Sequence, residues 1–261
     1  MKQIKSSIEM NKTILILMLT LTSMSNKANA QYTKLLDFAS VSTGKAPIGS
    51  LFSDGTFLYG TTSRGGTKDF GALFKIMPDG TNFTKLLDFD FGSLGNYPNG
   101  SLISDGISLF GMASFGGTSN FGTLFKVLPN GTGFTKLYEF GGKPDGGYPN
   151  GSLIAVDSFL YGMTPASGTN DKGIIFKIKR NETSIVKLFD FDGISSGSTP
   201  QGDLLSDGTF LYGMTYIGGT KDSGVIFKIK LDGTGFVKLL DFTGTSNGSN
   251  PYGSLISDGT Y

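Results

Sequence analysis

The sequence predicts an all-β fold, a β-propeller-like array of four-stranded antiparallel blades. Three observations carry that expectation. A single unit recurs every 51 residues without insertion or deletion. Every unit but the third places Asp-Gly or Asn-Gly at its tight turns, the strongest short-range signal for hairpins. Its short strands are apolar on both alternating sets of positions, as in Phe57 with Tyr59 and Leu58 with Gly60, whereas a sheet with one wet face alternates more cleanly. A four-stranded sheet covered on both faces by copies of itself is a propeller blade, and a unit this size falls in the range of kelch-like repeats. The rival, a β-solenoid, uses parallel strands, which tight Asp-Gly hairpins do not make.

Composition narrows the chemistry before any motif is read. The 261 residues include 40 Gly and 9 Pro but no His, Cys or Trp. Glu occurs only at positions 9, 139 and 182, and a chain so poor in strong helix formers is a poor candidate for a helical fold. Without His or Cys there is no Ser-His-Asp triad, no thiol nucleophile, no His/Cys zinc site and no disulfide. A net charge of +1 leaves no basic footprint for nucleic acid.

The elements follow in chain order. Lys2, Lys5 and Lys12 precede the apolar run Ile14–Leu21, and Ala28-Asn29-Ala30 stands before Gln31. A basic end, a short apolar stretch and an A-x-A site make a secretory signal peptide over residues 1–30. That predicts cleavage after Ala30 and an extracellular or outer-surface location. The apolar run is far shorter than the ~20 residues that span a bilayer, so no membrane span is expected. Residues 31–261 are the repeat domain, with copies at 33–83, 84–134, 135–185 and 186–236 and a partial copy at 237–261.

In the first copy the expected strands are Thr33–Phe38, Ser50–Ser53, Phe57–Thr61 and Ala72–Met77. Lys-Leu at Lys34, Lys85, Lys136, Lys187 and Lys238 marks the first strand of each copy. Gly49, Gly100, Gly151, Gly202 and Gly253 keep the same step, as do Tyr59, Phe110, Tyr161 and Tyr212, and Phe74, Phe125, Phe176 and Phe227. Asp54-Gly55 and Asp79-Gly80 make the two tight turns, with Gly supplying the positive φ. The third copy departs, with Val156-Asp157-Ser158 and Arg180-Asn181-Glu182 in their place. The other two connections, Ala39–Gly49 and Thr62–Gly71, are long and vary between copies. A unit of this size buries too little to stand alone and must stack on its neighbours.

Several motifs match together in order and spacing: Phe57-Leu58-Tyr59-Gly60-Thr61-Thr62, then Gly65-Gly66, Gly71-Ala72-Leu73-Phe74-Lys75-Ile76 and Asp79-Gly80-Thr81, with Pro98-Asn99-Gly100-Ser101-Leu102 leading into the next copy. This pattern resembles the GloVer tandem repeat over nearly all of residues 32–261. The resemblance implies an exported bacterial "choice-of-anchor" protein with propeller-type repeats at the cell surface. It further implies a terminal sorting or anchoring domain, such as that of the type IX secretion system. It brings no catalytic residue. The chain stops at Ser257-Asp258-Gly259-Thr260-Tyr261, inside a repeat, so further repeats and such a domain are expected beyond Tyr261.

Residues repeated in every copy make poor catalysts, because one site needs one acid and one base. Asp37, Asp88, Glu139, Asp190 and Asp241 are therefore expected to be partnered structural charges; the competing reading is a ring of carboxylates around a cation in a central channel. Asp145, Asp192 and Asp203 are read as the non-repeated acids. No catalytic residue, cofactor or metal ligand set is assigned, and the Gly-Gly pairs lack the pattern of a phosphate loop.

The variable long loops are the functional lead, since binding concentrates on loops held by a rigid scaffold. In a meander both long connections fall on one face and the tight turns on the other. Arg64, Phe115, Tyr216 and Ile217 fall at the same two varying positions of one loop, and Tyr97, Tyr148 and Tyr252 decorate the other. All of these but Tyr252 are the six candidate ligand-binding residues. The expectation is an exported binding, adhesion or scaffold module for an extracellular ligand or surface polymer, with polysaccharide suited to stacking on aromatic faces. The alternative is an extracellular propeller enzyme acting on glycans.

Overall fold

A computed structural model describes residues 32–39 and 41–259. The expected signal peptide lies outside the described residues. The chain divides into two compact units, Met1–Lys34 and Leu35–Tyr261, and the blades all belong to the second.

Among the described residues every regular element is a strand, and the sixteen strands form four antiparallel four-stranded sheets. The first blade holds β1 (Phe52–Ser53), β2 (Leu58–Thr62), β3 (Ala72–Ile76) and β4 (Thr84–Asp88). The second holds β5 (Ile103–Ser104), β6 (Leu109–Ala113), β7 (Thr123–Val127) and β8 (Thr135–Glu139). The third holds β9 (Ile154–Val156), β10 (Phe159–Thr164), β11 (Ile174–Lys179) and β12 (Ile185–Asp190), and the fourth β13 (Ser198–Ser206), β14 (Phe210–Ile217), β15 (Val225–Lys230) and β16 (Val237–Asp241). Each sheet is a simple meander in sequence order.

The structure fixes the blade phase that the sequence leaves open, and it corrects one expected strand. The Lys-Leu strand is the last strand of a blade and pairs with the Phe-Lys strand before it, as Phe74 pairs with Lys85. Residues 33–38 accordingly form no strand, because no Phe-Lys strand precedes them to offer a ladder. Phe38 nevertheless keeps its packing place, with its ring 5.1 Å from Phe74. The sister pairs Phe89–Phe125, Phe140–Phe176 and Phe191–Phe227 lie at 5.4, 5.4 and 5.3 Å.

These ring pairs form the core between blades. Phe89, Phe125, Phe140, Phe176, Phe191 and Phe227 are all fully buried. The glycine of the Leu-Tyr-Gly strand explains itself here: a Cβ on Gly60, Gly111, Gly162 or Gly213 would sit 2.6–2.7 Å from the tip of the core Phe on the neighbouring strand. The strand gives up a side chain so that the ring can lie flat across it.

The last strand of each blade carries a β-bulge at a constant position, between Leu73/Phe74, Leu124/Phe125, Ile175/Phe176 and Ile226/Phe227. Residues i and i+3 of a regular strand point to opposite faces; one extra residue puts them on the same face. That is why Lys85 reaches Asp88 at 2.8 Å, Lys187 reaches Asp190 at 2.6 Å and Lys238 reaches Asp241 at 2.7 Å, with Lys136–Glu139 alike. The same carboxylates accept bonds from the loop between the second and third strands: Thr169 donates to Asp190 through its N–H (2.8 Å) and hydroxyl (2.9 Å). Burial pushes these acids up, but the lysine and threonine bonds outweigh it and hold Asp88, Glu139, Asp190 and Asp241 below the usual carboxylate range. They sit on the outer strand of each blade, so the cation-ring reading fails and the partnered-charge reading stands.

Candidate functional site

The long loops do share one face, and backbone pairing stitches them across blades. The connection leading into each blade bridges that blade's second-strand loop at Lys45–Arg64, Asn96–Phe115 and Gly147–Ala166. At one register of this connection Ala46, Tyr97, Tyr148, Thr199 and Asn250 all adopt left-handed backbone, with φ between 53° and 59°. That conformation is rare for bulky residues and persists only where the surroundings enforce it. The enforcement is visible at Tyr97, whose N–H donates to the Phe70 carbonyl (3.0 Å) while its own carbonyl accepts from Ser114 (3.1 Å). Tyr148 is held likewise by Phe121 (2.7 Å).

This geometry gathers four of the six candidate residues. The Arg64 guanidinium lies 5.3 Å above the Tyr97 ring. Tyr97 meets Phe115 at 5.7 Å, and Phe115 meets Tyr148 at 5.2 Å. Phe121 extends the row at 5.2 Å from Tyr148, and Phe70 joins it at 6.3 Å from Tyr97. Arg64 and Phe115 are exposed and the two tyrosines half-buried. The result is one cationic and aromatic ladder crossing three blades, ending where Pro165-Ala166 replaces the aromatic residue. Edge-to-face ring contacts of this sort each contribute about 0.5–1.5 kcal/mol beyond the area they bury.

Tyr216 and Ile217 do not join it. Both belong to β14 rather than to a loop, because Ser198–Gln201 extends β13 and pairs with that end of the strand, Ser198 opposite Ile217. Tyr216 instead packs edge-on to Tyr252 at 6.0 Å.

A second feature on the same face was not singled out from the sequence. The tripeptides centred on Gly49, Gly100, Gly151, Gly202 and Gly253 lead into the inner strands and meet one another, residue i against residue i+51. Ser50 N–H donates to Ser101 Oγ (2.8 Å), Ser101 N–H to Ser152 Oγ (2.8 Å), Ser152 N–H to Asp203 Oδ1 (2.6 Å) and Asp203 N–H to Ser254 Oγ (2.9 Å). Beside this run lies a row of amides, with Asn99 donating to Asn150 (2.8 Å) and Asn150 to Gln201 (3.1 Å). Together they line an axial cavity of about 280 Å³. The 51-residue step of these tripeptides was legible; that they converge was not, because the phase of the blades was open.

The three non-repeated acids stay apart in their engagements. Asp145 faces Tyr138, whose hydroxyl burial and that carboxylate push up to about 12. Asp192 accepts from Ser195 and Ser196 of its own loop. Asp203 lines the axial cavity. No cluster of three or more metal-ligating side chains occurs among the described residues, and no helix among them is long and apolar enough to cross a membrane.

The model of the Gloeobacter/Verrucomicrobia repeat matches residues 20–164 and 104–261. The chain belongs to that repeat family. This agrees with the GloVer resemblance read from its motifs. No curated protein matches the chain in sequence. Among solved structures, TolB from Acinetobacter baumannii is similar at a TM-score of 0.54 and 12% identity, covering 85% of this chain and 48% of its own. A GH74 enzyme of Niastella koreensis is similar at 0.57 and 17%, covering 82% of this chain and 33% of its own. An oligogalacturonate lyase from Vibrio parahaemolyticus is similar at 0.54 and 13%, covering 82% and 58%. The chain thus spans between a third and somewhat over half of these three proteins, and the likeness shows a β-propeller-like fold.

Proposed function

We propose that this repeat protein is an exported, non-enzymatic binding module that holds a surface or extracellular polysaccharide along its loop face. The ladder Arg64–Tyr97–Phe115–Tyr148 carries that reading. Sugar rings present apolar C–H faces that stack on aromatic rings, and their hydroxyls accept from a guanidinium. A row of rings across three blades offers repeated contacts to a repeating polymer. The left-handed tyrosines support it as well, since strained backbone that a protein maintains concentrates at binding sites. Export rests on the basic end, apolar run and A-x-A site of residues 1–30.

The test is retention on insoluble polysaccharides and glycan arrays by the full chain and by Phe115→Ala. Phe115 is exposed, so the variant folds, and the loss of one ring contact predicts about tenfold weaker retention. Equal retention by the variant, or no glycan retained by the wild type, would overturn the proposal.

A further inference from the structure

The axial cavity has a built-in polarity. Ser114 donates its hydroxyl to the Pro149 carbonyl at 2.7 Å, so its oxygen is left to accept, and the Asn99 amide nitrogen lies 2.9 Å from it. That orients Asn99, whose second N–H donates to Asn150 Oδ1; Asn150 then donates to Gln201 Oε1. An amide has two donors and one oxygen, so the direction propagates down the row. At its end the Gln201 amide nitrogen makes no hydrogen bond among the described residues.

Two residues on, Asp203 replaces the serine that the other four copies carry at Ser50, Ser101, Ser152 and Ser254. One of its oxygens accepts from Ser152 N–H, while Oδ2 makes no hydrogen bond among the described residues. Among the described residues, Asp203 is also the one ionisable acid or base lining the cavity, apart from the phenol of Tyr252 at its rim. Tyr252 is 66% exposed, with its ring at an interplanar angle of 90° to that of Tyr216.

We infer that this end of the cavity is a binding subsite for a single pyranose ring, with Gln201 and Asp203 taking two vicinal hydroxyls and Tyr252 covering the ring's apolar face. Each hydroxyl is both donor and acceptor. One amide N–H beside one carboxylate oxygen therefore matches a pair of neighbouring hydroxyls, the bond to the carboxylate being the stronger. The volume, about 280 Å³, lies just below the roughly 300–1,000 Å³ of drug-sized ligand pockets and fits one ring rather than a chain. A few convergent polar groups in a cavity with an aromatic wall are the usual make-up of a small-molecule site. The subsite is separate from the ladder, which is read with a polymer and a different variant, so either can fail alone.

The experiment is saturation-transfer NMR on the full chain with methyl glucoside, methyl galactoside and methyl mannoside, repeated with the matching oligosaccharides to separate a free ring from a chain end. At least one glycoside should show transfer at millimolar concentration. Asp203→Ser installs the residue of the other copies and so keeps the serine run. It should weaken binding about tenfold or more, as should Tyr252→Ala, with melting temperatures unchanged. Absence of transfer from all three glycosides, or binding as tight as the wild type's in either variant, would overturn the inference. So would a Ca²⁺ titration that shifts residues 201–203 while no sugar does, which would assign the cavity to a cation.

Discussion

Gly151→Ala should cost far more than its small size implies. An ideal Cβ at Gly151 would lie 2.1 Å from the Gly202 carbonyl oxygen of the next blade. Unstrained carbon–oxygen contacts are about 3.3–3.6 Å, so the two inner strands would have to part by more than about 1 Å. Both are pinned: Ser152 N–H is bonded to Asp203 at 2.6 Å and Asp203 N–H to Ser254 at 2.9 Å. Relief therefore breaks the serine run. Gly151 has no positive φ to forfeit, which makes the cost one of overpacking alone, about 3 kcal/mol at the upper end of such substitutions. At about 2–4 °C per kcal/mol for a domain of this size, the melting temperature should fall by roughly 6–12 °C. Two controls separate sterics from backbone strain. Gly55 has φ +91° with nothing near its Cβ position, so Gly55→Ala should cost about 1–2 kcal/mol by strain alone. Gly253 has no positive φ and nothing within 4 Å, so Gly253→Ala should be neutral or stabilising by about 0.4–1 kcal/mol. Thermal melts by circular dichroism suit a chain without Trp. Stability in a stacked array is a sum over neighbouring interfaces, so the Gly151 melt should also broaden as two blades uncouple. Equal melting temperatures for Gly151→Ala and Gly253→Ala would refute the contact between inner strands.

Asp190, with Asp88, Glu139 and Asp241, is held below its ordinary value; such a group contributes stability that is full above the unfolded pKa, near 3.8 for Asp, and lost as pH falls through the folded one. The melting temperature should thus drop steeply below about pH 4, and Asp190→Asn should flatten that slope; an unchanged slope would deny the pairing. Asn96 is 1% exposed with its Oδ1 unpartnered, so Asn96→Ser, the residue at Ser198 and Ser249, should raise stability by up to about 1 kcal/mol. A loss of 1 kcal/mol or more in urea unfolding would show that the amide is satisfied. N-terminal sequencing of the exported protein should begin at Gln31, and retention of Lys12 would refute the signal peptide.

The period, the strand type and the hairpins were written in the sequence because each rests on local chemistry. Asp-Gly sets a turn wherever it occurs, and a unit repeated at 51 residues must stack on itself. The sharing of one face by the long loops also followed, since strand direction alternates in any meander; that Arg64, Tyr97, Phe115 and Tyr148 meet there while Tyr216 and Ile217 do not was not legible. The rest depended on which strands pair. A repeat has no intrinsic beginning, so the sequence left open that Lys85 closes the first blade rather than opening the second. That phase decides which glycines face the axis, and so hid Gln201 and Asp203. The ion pair of Lys187 with Asp190 needs a bulge that only the ladder with β11 reveals. Tyr216 falls out of the loop because Ser198–Gln201, from the preceding connection, happens to pair with it. Local propensities fix what each segment is; contacts between residues about 50 apart, made only when blades stack, fix what the segments face.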